Sequence, residues 1–419
     1  MSTPAAGRLA HWLARLEQLD PSKIELGLER VTQVLPRLDL KQPRLTLTIA
    51  GTNGKGTCAQ MLSHLLVANG LRVGRYTSPH LQHFNERVAI DDVAADDDAL
   101  VAAFERIDAA RGHVHLTYFE FTTLAALVIF ATRQVDVQVL EVGLGGRLDA
   151  VNAVEPDGCL LTNIALDHQR WLGDTLELIG AEKAAVFRRE TPAIVATPAP
   201  PESVLATARG VGANLLVRDK HFRANVSGDG ASWRWQGVAR AIDGLPWMDA
   251  AQTANAAGVL TLLEAVGQLS GLDDATCRAA AVFRPAGRIE RIASSPAIVL
   301  DVCHNEDSVM RLAQWLEHSA VLPQSRTIVF GAMRDKAIAE MLAPLAPYAT
   351  RWVAVAAPGG RAMPSDALAQ QISAMSGAAA LAAGSPWQGM QHARRVTPEA
   401  GEIIVAGSFP VVGAIRSRL

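Results

Sequence analysis

The residues best suited to chemistry lie in one short run, GTNGKGT at positions 51–57, between the apolar stretch Leu45–Ala50 and a helical pattern. A strand, a glycine-rich turn and a helix in this order bring free backbone N–H groups to a helix N-terminus, where negative charge is favoured. The run differs from the common G-x-x-x-x-G-K-[ST] string, since a glycine separates its lysine from its threonine. A purely structural turn is the alternative. We predict nucleotide phosphate binding by Gly51, Thr52, Asn53, Gly54, Lys55, Gly56 and Thr57.

Two further polar residues follow apolar runs and could complete a metal site with the hydroxyl of Thr57. Glu141 lies near the end of the predicted strand in VDVQVLEVG, and His168 follows TNIALD. A carboxylate on an apolar strand must be solvated, paired or metal-bound. Because ligands collect at the carboxyl ends of strands in open α/β sheets, the two residues together predict magnesium binding. Ordinary local hydrogen bonding is the alternative for each.

The elements that must position these residues follow an alternation of short apolar runs with helical periods. This alternation predicts an α/β fold in which β-α units form a mostly parallel sheet. The segment 221–237 differs, because its alternation around Ser-Gly-Asp-Gly predicts an antiparallel hairpin. The predicted strands are Leu45–Ala50, Leu71–Tyr76, Val135–Val142, Gly158–Asn163, Pro192–Ala196, Ala297–Val302, Thr327–Phe330, Trp352–Ala356 and Glu402–Ala406. The predicted helices include Thr57–Asn69, Thr117–Arg133, Thr175–Arg188, Gln252–Val266, Asn305–Glu317 and Pro410–Arg418.

A domain boundary is predicted where the run FRPAGRIERIASSPAIVLD turns through Pro and Gly before a new strand. The 419 residues are enough for two or three domains. We expect a P-loop ATPase-like domain with a mostly parallel sheet over residues 1–292. A smaller Rossmann-like α/β domain is expected over residues 293–419.

Composition excludes several other classes of protein. The formal charge of −3, without a basic block, argues against a nucleic acid partner. The most apolar stretch, 121–132, is about half the length that spans a bilayer, and the N-terminus lacks the apolar core of a signal peptide. The four cysteines lie far apart without a metal-binding spacing. We therefore expect a cytoplasmic monomer with reduced thiols, no membrane partner and small-molecule chemistry.

Eight motifs together carry a specific resemblance. They are GTNGKGT, TSPHLQHFNERV, LTYFEF, EVGLGGRLDAVN, LTNIALDHQRWLG, EKAAVFR, PAGRIE and DVCHN. In order and spacing, over nearly the whole chain, they resemble the folylpolyglutamate synthase/dihydrofolate synthase family, a branch of the ADP-forming Mur-type ligases. The resemblance implies ATP with one or two Mg²⁺ ions, dihydropteroate or a reduced folate, and L-glutamate as substrates. It also implies amide ligation through an acyl phosphate, in an interdomain cleft.

The same resemblance implies individual roles. Lys183 matches a lysine that is carbamylated in the family; the residues alone would place it on a solvated helix face. The implied magnesium ligands are Thr57, Ser78, Glu141, His168 and Lys183. Catalytic roles fall to Lys55, Lys183, His168 and His304. Further ATP contacts fall to Gln252, Asn255, Arg288 and Asp301, and glutamate contacts to His304 and Ser408. Helix polarity remains the alternative for Gln252 and Asn255, and loop structure for His304 and Ser408.

A flat pteridine ring needs aromatic faces and a charged group for its amide edge. With aromatics only 5% of the chain, the cluster in LTYFEF and the loop after Tyr76 are the candidates, although two of the three aromatic rings in LTYFEF could be core. Three motifs depart from the family pattern, at Cys303, at Ala286 and at Val151, and none of these departures removes a charged or ligating group. The predicted folate-binding residues are Ser78, Pro79, His80, Phe84, Arg87, Tyr118, Phe119 and Glu120.

Two rival functions are compatible with part of this pattern. A cell-wall Mur ligase acting on a UDP-muramoyl peptide would usually carry an additional N-terminal nucleotide-sugar domain, and only 44 residues precede the first predicted strand. A non-catalytic nucleotide-gated binding module would be expected to lose Lys55, Glu141 or His168, and all three are present. Both rivals are therefore less favoured than glutamate ligation.

Overall fold

The computed structural model describes residues 5–18 and 25–419. The chain divides into two compact units, Met1–Pro79 with Phe84–Phe283, and His80–His83 with Arg284–Leu419. The boundary therefore falls at Phe283 and Arg284 rather than at 292 and 293. The reason is that the strand Glu290–Ile292 pairs antiparallel with Ala297–Leu300 in the sheet of the second unit.

The first unit contains an eight-stranded sheet in the order β4-β3-β2-β5-β1-β6-β7-β8, parallel except at β3 and β4, and a separate antiparallel sheet in the order β11-β10-β9. Its strands are β1 (Leu45–Ala50), β2 (Val73–Tyr76), β3 (Val88–Ile90), β4 (Val93–Ala94), β5 (Val137–Glu141), β6 (Gly158–Leu161), β7 (Pro192–Val195), β8 (Asn214–Val217), β9 (Arg223–Val226), β10 (Ser232–Gln236) and β11 (Ala241–Pro246).

Helices cover both faces of the large sheet, which is why its central strands read as continuous apolar runs. The α-helices of the first unit are α1 (Ala5–Glu17), α2 (Glu29–Val34), α3 (Lys55–Ala68), α4 (Asp97–Arg111), α5 (Tyr118–Arg133), α6 (Gln169–Leu172), α7 (Leu176–Ala184), α8 (Glu202–Val211), α9 (Ala250–Ala265) and α10 (Asp274–Ala281).

The two faces of this sheet carry separate hydrophobic cores. One core contains Val139 of β5 with residues of α3 and α9, and the other contains Tyr76 and Leu140 with residues of α4 and α5. Because side chains alternate along a strand, Glu141 shares the α3 face with Val139. β5 pairs with β1 so that Glu141 stands beside Ile49, just before the glycine-rich run.

The second unit is a six-stranded sheet in the order β12-β13-β17-β14-β15-β16, with only β12 antiparallel. Its strands are β12 (Glu290–Ile292), β13 (Ala297–Leu300), β14 (Arg326–Phe330), β15 (Arg351–Val355), β16 (Ala380–Ala383) and β17 (Glu402–Ala406). Its helices are α11 (Glu306–Glu317), α12 (Ile338–Leu342), α13 (Ser365–Ser376), α14 (Pro386–Val396) and α15 (Phe409–Arg416).

The predicted α/β class, with a mostly parallel sheet and a second α/β domain, is confirmed. The predicted hairpin is present, with β11 as a third strand. The shortest strands, such as β4 with two exposed residues, were not predicted, because so few residues produce no clear alternation of polar and apolar side chains. In the part of the chain that is described, no helix is both long and apolar enough to cross a bilayer.

Candidate active site

The glycine-rich run forms the turn between β1 and α3, and two of its glycines are required by the geometry. Gly51 has φ +140°, and a Cβ there would lie 1.9 Å from Thr162 Oγ1. Gly54 has φ +86°, and a Cβ there would lie 2.6 Å from Asn255 Oδ1. Side chains are excluded at both positions, so the backbone can approach a phosphate closely.

Hydrogen bonds hold the turn against the chain that leaves β6. The Thr52 backbone amide donates to the Asn163 carbonyl at 2.9 Å. The Asn53 backbone amide donates to the side-chain Oδ1 of Asn163 at 2.8 Å. The Thr162 hydroxyl donates to the Asn53 carbonyl at 2.7 Å. The Thr52 hydroxyl is 3.2 Å from the Ala165 carbonyl, to which it donates. The turn is therefore braced in advance of any ligand.

Two lysine amines meet at one carbonyl of this turn. Lys55 Nζ donates to the carbonyls of Gly51 and Thr52, both at 3.1 Å, and Lys183 Nζ donates to the Gly51 carbonyl at 3.0 Å. Lys183 is only 4% exposed, so the solvated helix face that its residue type alone suggested is wrong. Burial, reinforced by the charge of Lys55, lowers the pKa of Lys183 to about 7. A concentration of positive charge suits an anionic ligand.

The carboxylate of Glu141, the last residue of β5, lies beside the first turn of α3. Its Oε2 accepts a hydrogen bond from the Ser78 backbone amide at 2.9 Å and would lie 3.4 Å from a Cβ on Gly56. The adjacent Thr57 is buried in the same turn. A carboxylate and a hydroxyl beside the phosphate turn are hard oxygen donors of the kind Mg²⁺ prefers, so these two residues fit the predicted metal. Ser78 contributes a backbone amide that orients the carboxylate.

His168 does not complete a preformed cluster. It adopts a left-handed conformation with φ 51° at the start of α6, and its side chain is 38% exposed, with Nε2 4.0 Å from Asp167 Oδ2. Among the described residues, no three His, Cys, Asp or Glu side chains are grouped as a metal site. Any metal here would therefore depend on hydroxyl, carbamate or phosphate oxygens in addition to Glu141.

The predicted aromatic cluster forms on the α5 side of the sheet. Arg87 is buried with its guanidinium carbon 5.6 Å from the centre of the Phe84 ring and 5.5 Å from that of Tyr118. The Phe84 and Tyr118 rings meet edge to face at 6.4 Å. Phe119 approaches the turn after β5 so closely that a Cβ on Gly143 would lie 2.4 Å from its Cζ. Flat apolar faces and a cation are thus gathered in one place.

Glu120, which was expected to pair with a pteridine edge, is instead engaged within the protein. Its Oε2 accepts from the Thr117 backbone amide at 2.7 Å, completing a capping box at the start of α5. Both of its oxygens also accept from Arg30 Nε, at 3.0 and 2.9 Å. Hydrogen bonding to Glu120 raises the pKa of Arg30. The geometry favours a structural role for this carboxylate.

The two predicted ATP-binding residues on α9 differ. Asn255 lies against Gly54 of the phosphate turn, which supports its predicted role. Gln252 donates through Nε2 to the carbonyls of Ala281 and Phe283, at 3.1 and 2.8 Å. That contact ties α9 to the end of the first unit, so Gln252 has the structural role that the sequence left open.

The candidates of the second unit lie at strand ends of their own sheet. Asp301 accepts from the backbone amides of Ile289 and Cys303, at 2.9 and 2.8 Å. His304 Nδ1 is 3.0 Å from the Val302 carbonyl, and the ring lies 5.7 Å from that of Phe409.

Arg288 also packs on the Phe409 ring that His304 contacts, with its guanidinium carbon 5.2 Å from the centre of that ring. The buried Ser408 hydroxyl donates to the Gly331 carbonyl at 2.8 Å. Arg288, Asp301, His304 and Ser408 therefore help to build the turns of this sheet.

The predicted folate loop is split between the two units. Ser78 and Pro79 end a segment of the first unit, whereas His80 begins the short segment His80–His83 that belongs to the second. Within the second unit, Leu81 packs so closely on α15 that a Cβ on Gly413 would lie 2.0 Å from the Leu81 carbonyl oxygen.

Several residues of the site were missed by sequence reasoning. Thr162 and Asn163 brace the phosphate turn, and their signal was their position directly after β6. Asp149 is buried and accepts from the Leu144 and Val151 amides at 2.8 and 3.0 Å. Burial raises the pKa of Asp149 to about 6. Arg30 left no signal, because its partner lies 90 residues away.

Comparison with known proteins agrees with this geometry. Residues 49–200 match the Mur ligase middle domain, and residues 287–409 match the Mur ligase glutamate ligase domain. The chain is 38% identical to the dihydrofolate synthase/folylpolyglutamate synthase of Escherichia coli K12 over 371 residues, 88% of this chain and 86% of that protein.

Two solved structures are also similar. The E. coli enzyme in complex with DHPP and ADP superposes with a TM-score of 0.90 at 36% identity, over 100% of this chain and 99% of that chain. The bifunctional enzyme of Yersinia pestis complexed with AMPPNP and Mn has a TM-score of 0.88 at 38% identity, with the same coverage. The chain belongs to the dihydrofolate synthase/folylpolyglutamate synthase family of Mur-type ligases.

Proposed function

We propose that this protein is an ATP-dependent ligase that adds L-glutamate to dihydropteroate and to the glutamate tail of reduced folates. The observation that carries the proposal is the convergence of Lys55 and Lys183 on the Gly51 carbonyl, in a braced phosphate turn beside Glu141. Such a site suits the transfer of a phosphoryl group, because the Lys55 cation and the start of α3 are already in place where negative charge develops.

Phosphoryl transfer to a carboxylate is the first step. An oxygen of the substrate carboxylate attacks the γ-phosphorus of ATP, and the bond from this phosphorus to the β,γ-bridging oxygen breaks. The products of this step are ADP and an acyl phosphate. Lys55 and the backbone amides at the start of α3 would hold the β- and γ-phosphates. The amine of L-glutamate then attacks the acyl carbon, inorganic phosphate leaves, and the amine loses a proton as the amide forms.

Mg²⁺ supplies charge neutralisation at the phosphates when it is bound. Thr57 and Glu141 would hold it, and the Ser78 amide would orient Glu141. His168 lies three residues after Ala165, whose carbonyl accepts from the Thr52 hydroxyl, but its side chain is not grouped with the others among the described residues. We also propose that Lys183 is carbamylated. Its low pKa supports this, because the neutral amine is the form that reacts with CO₂, and the carbamate is an anionic oxygen ligand.

The remaining assignments are proposals of the same kind. The aromatic cluster with Arg87 would bind the pteridine ring, and Ser78, Pro79 and His80 would border it. Asn255 and Arg288 would approach the nucleotide and His304 the glutamate, while Asp301 and Ser408 would hold the turns of the second sheet through their backbone contacts. We further propose that the protein works as a monomer in the cytoplasm, where ATP is supplied and its four free, buried cysteines stay reduced.

Radiolabelled glutamate incorporation with coupled detection of ADP tests the proposal. Dihydropteroate and tetrahydrofolate are offered as alternative acceptors, and UDP-muramoyl peptide as the acceptor of the rival Mur ligase. We expect glutamate-dependent ADP formation with one or both pteridine acceptors, and none with the muramoyl peptide. Turnover with the muramoyl peptide alone, or no turnover with any acceptor, would contradict the proposal.

A further inference from the structure

We infer that Arg30 is a positioning residue for the pteridine-binding face. Its guanidinium joins the segment before α2 to the first turn of α5, which carries two of the aromatic rings. The inference rests on the proposed function, since it takes Tyr118 and Phe119 as the face that binds the pteridine.

The contacts of Arg30 reach two separate parts of the chain. Its Nε donates to both carboxylate oxygens of Glu120, and its second terminal nitrogen donates to the Glu25 carbonyl at 2.7 Å. Only a planar guanidinium, with several donors in fixed directions, can make both contacts together. Arg30 therefore holds residue 25 at a set distance from α5.

The position of Glu120 in its helix makes this contact relevant to the rings. Tyr118, Phe119 and Glu120 are the first three residues of α5, and the capping box locks Glu120 to the backbone of Thr117. A group that holds the Glu120 carboxylate thus also holds the helical turn from which both rings project. The Glu120 side chain is 4% exposed and that of Arg30 is 26% exposed, so the pair is shielded from water on the carboxylate side.

A third segment connects to the same arrangement. The Gly27 amide donates to the Leu148 carbonyl at 3.3 Å, and the adjacent Asp149 accepts from the Leu144 amide. Leu144 follows Gly143, which lies against the Phe119 ring. The segment 25–28, the start of α5 and the turn 143–149 therefore form one linked frame around Phe119, and Arg30 provides the connection between the first two.

A merely structural ion pair would have a different signature. Loss of Arg30 leaves a buried carboxylate without its cation, which destabilises the fold. Changing Glu120 to Gln as well removes that unpaired charge, while the amide oxygen still accepts from Thr117. Stability should then recover in the double variant, but the connection to residue 25 remains broken.

The test compares Arg30→Met, the double variant Arg30→Met/Glu120→Gln, and Arg37→Met as the matched control. Arg37 donates to the carbonyls of Ala110 and Arg111 at the C-terminal end of α4, so its loss removes an arginine contact of similar kind without touching Glu120. We expect the KM for dihydropteroate to rise about tenfold in both Arg30 variants, the effect of losing one charge-assisted contact. The KM for ATP and kcat should stay within about twofold, and the control should match the wild type.

The inference would be overturned if the double variant recovered both the wild-type KM for dihydropteroate and the wild-type thermal stability. It would also be overturned if the KM for ATP rose in parallel in the Arg30 variants. If Arg30→Met does not fold, the double variant decides. If neither folds, Arg30→Lys must show the same selective rise, because a single ammonium cannot make both contacts. Wild-type protein that ligates no glutamate would refute the proposed function instead; an active wild type with unchanged variants would refute only the role of Arg30.

Discussion

The two sheets present their predicted site residues in different ways. At the carboxyl edge of the first, Lys55 and Lys183 share the Gly51 carbonyl, and burial lowers the pKa of one amine to about 7. At the corresponding edge of the second, Asp301 and Ser408 each bond to backbone groups of their own turns. Crowded like charges oppose folding, whereas satisfied polar groups support it.

This difference indicates which residues act on a ligand and which build the scaffold. Like charges persist in a folded site when a ligand of opposite charge is to be bound there. Substitutions in the first region should therefore impair turnover more than stability. Those in the second should impair stability first, and substitutions at five residues test that division.

The largest effect is expected for Lys55→Ala. The variant removes the charge that we propose holds the phosphates, so ADP formation should fall about 10³-fold. The unfolding temperature should change little, because the turn stays held by the hydrogen bonds of Thr52, Asn53 and Thr162. Near-normal turnover, measured by coupled ADP release, would remove Lys55 from the mechanism.

Lys183 should be nearly as sensitive, and its replacement tests the carbamate. Lys183→Arg should be inactive because guanidinium does not form a carbamate, while Lys183→Ala should be partly rescued by formate or acetate. A fully active Lys183→Arg variant would show that the carbamate is unnecessary.

The pKa of Lys183 also predicts a pH dependence. Below about pH 7 the amine is increasingly ammonium, which does not react with CO₂. At a fixed concentration of dissolved CO₂, reactivation of decarboxylated enzyme should therefore be slower at about pH 6 than at about pH 8. An equal rate at both pH values would contradict a buried amine of lowered pKa.

Glu141→Gln keeps the volume of the side chain and removes its charge. We expect the magnesium concentration for half-maximal activity to rise about tenfold, with a smaller loss of maximal rate. Titration of activity with magnesium measures this. An unchanged requirement would mean that the carboxylate only accepts from the Ser78 amide. Asp243→Asn, whose partner Arg234 lies on the small antiparallel sheet, serves as the control.

Asp301→Asn should act mainly on the fold of the second unit. The carboxylate accepts from two backbone amides, and in the variant the side-chain NH₂ group faces one of them. Two donors then oppose each other, which should cost about 1–3 kcal/mol of unfolding free energy. Denaturant unfolding measures the loss. A raised KM for ATP without any loss of stability would instead place Asp301 in contact with the nucleotide.

The smallest effect is expected for Ser408→Ala. The variant removes one hydrogen bond to the Gly331 carbonyl and should lower the unfolding free energy by about 1 kcal/mol. The KM for glutamate distinguishes the alternatives. A large rise in that KM at unchanged stability would support a glutamate-binding role and would weaken the contrast between the two regions.

Much of the fold could be predicted from local patterns of apolar and polar residues. The central strands, the phosphate turn and the main helices were predicted within a few residues, because alternation, helical period and glycine placement are encoded in contiguous residues. The domain boundary was displaced by the short strand Glu290–Ile292, whose partner becomes evident only when the sheet is assembled.

The sequence by itself determined the chemistry that this protein can offer: a turn of glycines with a lysine and a threonine, a carboxylate at a strand end, and aromatic residues at a helix start. Tertiary structure alone decided how that chemistry is used. It brought Lys183 to Gly51 across 132 residues, buried it, and joined Arg30 to Glu120 across 90. The physical reason is that residue types and short-range spacing specify local conformation, whereas burial, charge crowding and long-range hydrogen bonds arise only when distant segments pack together.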